Sequence, residues 1–218
     1  MEEPCSCVFC KQNRFFYHKQ IGLKYDDAIV YEDDNVFVTP DISPVIKGHY
    51  LIITKNHIHG YANANEATMI SLKKAIDYLK NKIYKSNEFT FFEHGAIEEG
   101  KAGASINHAH LHVLPGWHEI SKIVDNTNVY TKKMRFTRDN FKEMAESYPY
   151  LWISNYHTSY LYSVDKLPSQ FLRKIFMEAH ETQYTYNWRE EFDNQYSLQM
   201  YLETLNMVKI ERKKENND

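Results

Sequence analysis

Residues 105 to 115 read SINHAHLHVLP. Here His108, His110 and His112 alternate with Ala109 and Leu111, and successive side chains of a β-strand point to opposite faces. The stretch therefore predicts a strand that presents three imidazoles on one face and sends its apolar residues into a core. Three of the 11 histidines in the chain stand at these alternate positions. Taken by themselves the residues allow surface histidines or a three-histidine metal site of the catalytic zinc kind.

Outward from this strand the pattern continues. FTFFEHG at 89 to 95 predicts a preceding strand, separated from the first by EEGKAGA, a small-residue loop with Gly100 and Gly103. Residues 26 to 33 and NVFVTPD at 35 to 41 alternate apolar with polar residues around an Asp-Asp-Asn turn, as hairpin strands do. HYLIIT at 49 to 54 adds another strand, reached through DISPVIKGH, where Pro44 and Gly48 punctuate a surface connection. From Asn63 the period changes: Met69, Leu72, Ile76, Leu79 and Ile83 fall three and four apart, and Asn63 with Glu66 reads as a capping pair. That predicts a long amphipathic helix, and the first half is α+β. Beyond it the sequence predicts a helix near 137 to 147, strands at 150 to 154 and 159 to 164, a helix opened by Pro168, and a last helical stretch from about 188. The closing KIERKKENND reads as a solvated, fraying tail. The expected division is a catalytic domain over 1–118, an α/β extension over 119–190 packed on the core or a dimer interface, and a charged helical tail over 191–218.

At 218 residues, with 43% hydrophobic and 15% aromatic content, the chain is long enough for one sizeable core plus an appendage. A charged fraction of 25% and a mean hydropathy of −0.62 fit a globular protein. No apolar run approaches the ~20 residues of a membrane span, and MEEPCSC at the start lacks the basic and apolar regions of a signal peptide. The expectation is a cytoplasmic protein without a membrane partner. A net charge of −3 and a pI near 6.4 weigh against nucleic acid held through its phosphates, although Lys132, Lys133, Arg135 and Arg138 form a small basic cluster.

Cys5, Cys7 and Cys10 are the chain's three cysteines, an odd count with nothing downstream to pair with. Metal binding fits better than a disulfide framework. Cys7 and Cys10 form a CxxC pair, too few ligands for a tetrahedral zinc, so two histidines must complete the set; reduced thiols without a metal are the alternative.

HAHLHVLP at 108 to 115 fits the pattern His-x-His-x-His-x-x with apolar residues at the x positions, and on it the chain resembles the histidine triad (HIT) family. DISPVIKGHYLIITKNHI at 41 to 58 is similar to that family's ribose-binding strand and loop, and GASINH at 103 to 108 to the turn before its triad. The likeness covers about residues 7 to 116 and implies a HIT-like antiparallel sheet with a long amphipathic helix.

The resemblance also implies roles. His110 falls on the nucleophile, a neutral imidazole with one free lone pair, and His112 on the residue that steadies the non-bridging phosphate oxygens. Ser105 stands where relatives carry a hydroxyl near the leaving group, with an ordinary strand-start serine as the alternative. Gly103 would let backbone approach phosphate, or simply turn the chain. Asp41 matches the carboxylate that accepts from both ribose hydroxyls, against a plain turn cap. Glu93 and His94 stand at a strand end where relatives often carry asparagine, and are suspected of substrate contact or water activation. In zinc-bearing members the third and fourth ligands fall on His57 and His108, with His59 able to replace His57. Gln170 and Arg173 faintly resemble a QxxR helix of longer members, where an arginine could reach a distal phosphate; packing or surface is the preferred reading of Arg173.

The third triad place carries histidine, whereas the nucleotidyltransferase branch typically carries glutamine, so the resemblance implies hydrolysis. The expected activity releases a nucleoside monophosphate, purine by preference, from an amine or a second nucleotide, in a homodimer. The alternatives are a hydrolase that deadenylates or scavenges caps at nucleic-acid 5′ ends, and a nucleotide-binding adaptor.

Overall fold

A computed structural model describes residues 7–10, 13, 18–19, 22–95, 106–147, 149–155, 157–165, 167–180, 186–191 and 194–215. Cys5, Gly103 and Ser105 lie outside the described residues. Strands β1 (Tyr31–Glu32), β2 (Val36–Pro40), β3 (Tyr50–Thr54), β4 (Phe89–Gly95), β5 (His110–Pro115), β6 (Tyr130–Arg135), β7 (Tyr150–Asn155) and β8 (Ser159–Val164) form one sheet. Their order is β1-β2-β3-β5-β4-β7-β8-β6, and every pairing is antiparallel. With helices on its faces the architecture is α+β, as expected from the alternation of strand and helix periods.

The hairpin at the N-terminal edge turns on Asp33, whose Oδ1 accepts from the backbone N–H of Asn35 and Val36. Its first strand is shorter than the sequence predicts. Tyr25–Ala28 form a helical turn, and Ala28, Ile29 and Val30 are buried before β1 begins, with Val30 N–H donating to the Val38 carbonyl of β2.

Helix α1 (Glu66–Tyr78) continues through a wider turn over Leu79–Tyr84 and lies against β2 and β3. Leu72, Ala75, Leu79 and Ile83 are buried along one stripe. Its N-cap is Asn65, which accepts from Thr68 N–H, rather than the Asn63 and Glu66 pair; Asn63 belongs to a short 3-10 turn just before.

The segment after residue 119 enlarges the same sheet. β7 pairs with β4, matching Phe92 to Ile153 and Glu93 to Trp152. β6 and the short helix α2 (Ile120–Asp125) were not legible beforehand, because β6 is a polar edge strand, YTKKMR, with little burial. Helices α3 (Arg138–Ser147) and α5 (Gln195–Glu215) join α1 on one face, where Phe141, Trp152, Tyr201 and Leu205 share a core. Helix α4 (Phe171–Ala179) and α2 cover the other, where Phe92, Leu114, Ile153 and Phe176 meet. Each fully buried side chain of this kind contributes about 1.5–3 kcal/mol of transfer free energy. No helix among the described residues is long and apolar enough to cross a membrane.

Candidate active site

The registers fix which side chains meet. On β5, Leu111 and Val113 join the α1-side core, so His110 and His112 face the opposite side. Pairing puts Leu51 and Phe92 beside His112, and Ile53 beside His110. These residues, with His94 two places beyond Phe92, line one pocket of about 850 Å³. Glu93, between Phe92 and His94, points the other way. It is buried, accepting from Tyr61 N–H (2.9 Å) and the Tyr150 hydroxyl (2.7 Å), and burial pushes its carboxyl up to about 8.

His108 precedes the strand. Ala109 donates its N–H to Ile58 and accepts from Thr54 N–H, an irregular step that sends the His108 ring away from the pocket's centre. His110 Nδ1 donates to the His108 carbonyl at 2.6 Å, which leaves the lone pair on Nε2. His112 Nδ1 lies 2.9 Å from His49 Nε2, and His49 Nδ1 accepts from Val45 N–H at 3.2 Å. An acceptor at Nδ1 makes the neutral His49 a donor at Nε2, so His112 accepts at Nδ1 and carries its own proton on Nε2. Backbone thus fixes both tautomers: His110 presents an Nε2 lone pair, and His112 an Nε2–H. Burial lowers His110 against the opposing pull of the His108 carbonyl and Asp41, brings His49 to about 4 against Asp41, and with His49 and His110 nearby carries His112 well below the usual imidazole range. All three are neutral at pH 7.

Asp41 is buried at the pocket wall. Its Oδ1 accepts from Ser43 N–H (2.8 Å), and its Oδ2 pairs with Arg173 Nη1 (2.8 Å) while lying 3.6 Å from His49 Nε2 and 3.7 Å from His112 Nδ1. Arg173 is only 4% exposed. The same pocket is lined by the apolar side chains of Val8, Phe9, Phe37, Leu51, Ile53 and Ile106. The Phe9 ring stands 5.3 Å from that of His110 and 5.9 Å, edge-on, from that of His108.

Phe9 is held by the residues on either side of it. Cys7 Sγ is 3.4 Å from His108 Nδ1, Cys10 Sγ is 3.2 Å from His57 Nδ1, and Cys10 Sγ is 3.9 Å from His108 Nδ1. The four ligand atoms lie within 4.8 Å of one another, and neither thiol is in a disulfide. His108 Nε2 donates to the Thr54 carbonyl at 2.7 Å, which turns the Nδ1 lone pair inward. His57, rather than its neighbour His59, belongs to this group.

Of the residues expected from sequence, His110, His112, Asp41 and His94 come together at one pocket, and Cys7, Cys10, His57 and His108 at a second cluster behind it. Glu93 sits on the far face of the sheet. Gly103 and Ser105 fall in the undescribed stretch before Ile106. Sequence reasoning passed over His49, although its place after Gly48 at a strand entrance was a signal, and set Arg173 aside as packing. Phe9 was hidden inside the CxxC pair.

A family model described as the HIT domain matches residues 23–119. "Protein hit" of Bacillus subtilis is 35% identical over 114 residues, which are 50% of this chain and 70% of that protein. Adenosine 5′-monophosphoramidase HINT3 of Xenopus tropicalis is 26% identical over 115 residues, covering 50% of this chain and 67% of that one. Among solved structures, a HIT family hydrolase from Clostridium thermocellum shares 28% identity over 51% of this chain and 90% of that chain, with a TM-score of 0.37. The domain match and the bacterial relative, together with the triad motif, make this chain a member of the histidine triad family.

Proposed function

We propose that the protein hydrolyses nucleotides, releasing a nucleoside monophosphate from an amine or a second nucleotide through a covalent intermediate on His110. One observation carries this reading: His110 Nδ1 is committed to the His108 carbonyl, so its Nε2 lone pair is the nucleophile in a pocket that pairs an apolar lining with Asp41. The Xenopus relative, a phosphoramidase by name, supports the phosphoramidate bond as the first to test.

In this scheme Nε2 attacks the α-phosphorus and the bond to the leaving group breaks. The positive charge left on the imidazole is held by the Nδ1–H bond to the His108 carbonyl. His112 Nε2–H donates to a non-bridging oxygen as charge shifts onto it. The Ser105 hydroxyl is assigned to relay a proton to the departing amine, and Gly103 to let backbone approach the phosphate. Water then attacks phosphorus, the P–N electron pair returns to His110, and the water proton passes to solvent. The base meets the apolar lining that includes Phe9 and Ile53, the ribose meets Asp41, and His94 contacts substrate from the β4 side.

Cys7, Cys10, His57 and His108 fit a structural zinc. Bonds of about 2.3 Å to sulfur and 2.0–2.1 Å to nitrogen place tetrahedral ligands about 3.6 Å apart, and the three S···N separations of 3.2, 3.4 and 3.9 Å bracket that value. Bound there, the metal would hold the N-terminal knuckle, and Phe9 with it, against the triad without touching substrate. A purine substrate, a homodimer and a cytoplasmic setting complete the proposal, on the family resemblance alone.

The test is an acid-quench assay of AMP release from an adenosine phosphoramidate and, separately, from diadenosine polyphosphates, using wild type and His110→Ala. Release by wild type only supports the nucleophile, and the faster substrate identifies the bond. No release by wild type overturns the reading.

A further inference from the structure

The family match ends at residue 119, yet the pocket does not: Gln170, Phe171, Leu172, Arg173 and Trp188 line it as well. Arg173 is the centre of this second half. From the first turn of α4 its Nη1 donates to Asp41 Oδ2 (2.8 Å), its Nη2 to the Ser43 carbonyl (2.6 Å) and its Nε to the Tyr186 carbonyl (3.2 Å). One planar guanidinium thus ties α4 to two separate pieces of chain: Asp41 and Ser43 just after β2, and the segment that carries Trp188.

Gln170 repeats the link one turn earlier. Its amide donates to Asn187 Oδ1 (2.8 Å) and its carbonyl accepts from Trp188 N–H (2.9 Å). The residue holds a left-handed φ of 62°, a conformation costly for a side chain with a Cβ, and the two bonds help offset it.

Charge bookkeeping gives the pair its purpose. An isolated carboxylate as buried as Asp41 is strongly unfavourable, as is a guanidinium 4% exposed. Paired, each holds the other, and the fork's second prong, Nη2 on the Ser43 carbonyl, fixes where Nη1 meets Asp41 Oδ2. A lysine keeps the charge but not the fork.

We propose that Arg173 is a positioning residue of this pocket: it fixes the Asp41 carboxylate for the ribose and seats residues 186–188 as a wall against which the nucleotide binds. The inference rests on reading the pocket as a nucleotide site. It assigns the segment beyond the family match a part in substrate recognition.

Two readouts test it on the full chain: AMP binding by calorimetry, and kcat and KM for the phosphoramidate. Arg173→Met should weaken AMP binding and raise KM by about 10- to 100-fold with a smaller change in kcat, and Arg173→Lys should recover part of the loss. Because Arg173→Met strands a buried carboxylate and can unfold the chain, the neutral pair Asp41→Asn with Arg173→Met is measured too. Its KM should rise by less than the product of the two single effects, since part of the arginine's effect runs through the carboxylate. Native affinity in Arg173→Met, or in Arg173→Lys should Arg173→Met not fold, overturns the proposal, as does a double variant whose loss is the product of the single ones. A wild type that binds no AMP overturns instead the nucleotide reading beneath it, so the two failures are distinct.

Discussion

Glu93 offers a test of the fold by titration. Its carboxyl is 1% exposed, and burial raises it from 4.5 to about 8 against the lowering effect of its bonds to Tyr150 and Tyr61. The folded state therefore holds a proton that an unfolded chain releases near pH 4.5. Below that pH both states are protonated and Glu93 costs nothing. Between about 4.5 and 8 the cost of keeping the group protonated grows by up to ~1.4 kcal/mol per pH unit, and above 8 it is complete. A gap of that width corresponds to a few kcal/mol, a large share of the roughly 5–15 kcal/mol of a typical domain. Glu93→Gln keeps an acceptor for Tyr61 N–H, puts an amide nitrogen where an oxygen accepted from the Tyr150 hydroxyl, and removes the titration. Urea denaturation of both proteins from pH 5 to pH 9 isolates the effect, because every other group contributes equally to the pair. The stability difference should move in favour of Glu93→Gln by a few kcal/mol as pH rises. A difference independent of pH would refute the assignment of a buried, protonated carboxyl at neutral pH.

Other expectations follow from single contacts. Gly48 has φ +86° and a Cβ there would meet Pro115 Cγ at 3.1 Å, so Gly48→Ala should lower stability by about 1–2 kcal/mol in chemical denaturation. His49→Ala removes the donor that sets the His112 tautomer; kcat should fall about ten- to a hundredfold with the melting temperature changed far less. Cys7→Ser should abolish zinc measured by elemental analysis of the purified protein and lower the melting temperature, whereas His59→Ala should leave zinc content unchanged.

Elements with strong local periods were legible in the sequence. Alternation placed β4 and β5, which are buried on both faces, and spacing of three and four placed α1, which buries one stripe. Elements without such burial were not: β6 runs along the sheet's edge with five of its six residues charged or hydroxylated, and its partner strand β8 supplies the burial. Capping also misled the reading by two residues, since Asn65 and Asn63 are alike in type and only the 3-10 turn between Gly60 and Ala64 distinguishes them.

The site divides along the same line. His110 and His112 share a strand, so a local pattern announced them, and Asp41 stood in a stretch that resembled a known one. Arg173 lies 132 residues from the carboxylate it meets, and nothing in FLRKIF distinguishes a buried ion pair from a helix packed by its aliphatic stems. Its meaning comes from topology. By adding β7 and β8 beside β4, the chain carries its later helices back over the face where His112 and Phe92 stand, and α4 arrives with Arg173 directed at the end of β2. An arginine buried at that point must find a carboxylate or unfold the corner, and Asp41 is the carboxylate it meets. Extending the sheet thus explains both why the pocket has a second wall and why a reading based on local pattern could not see it.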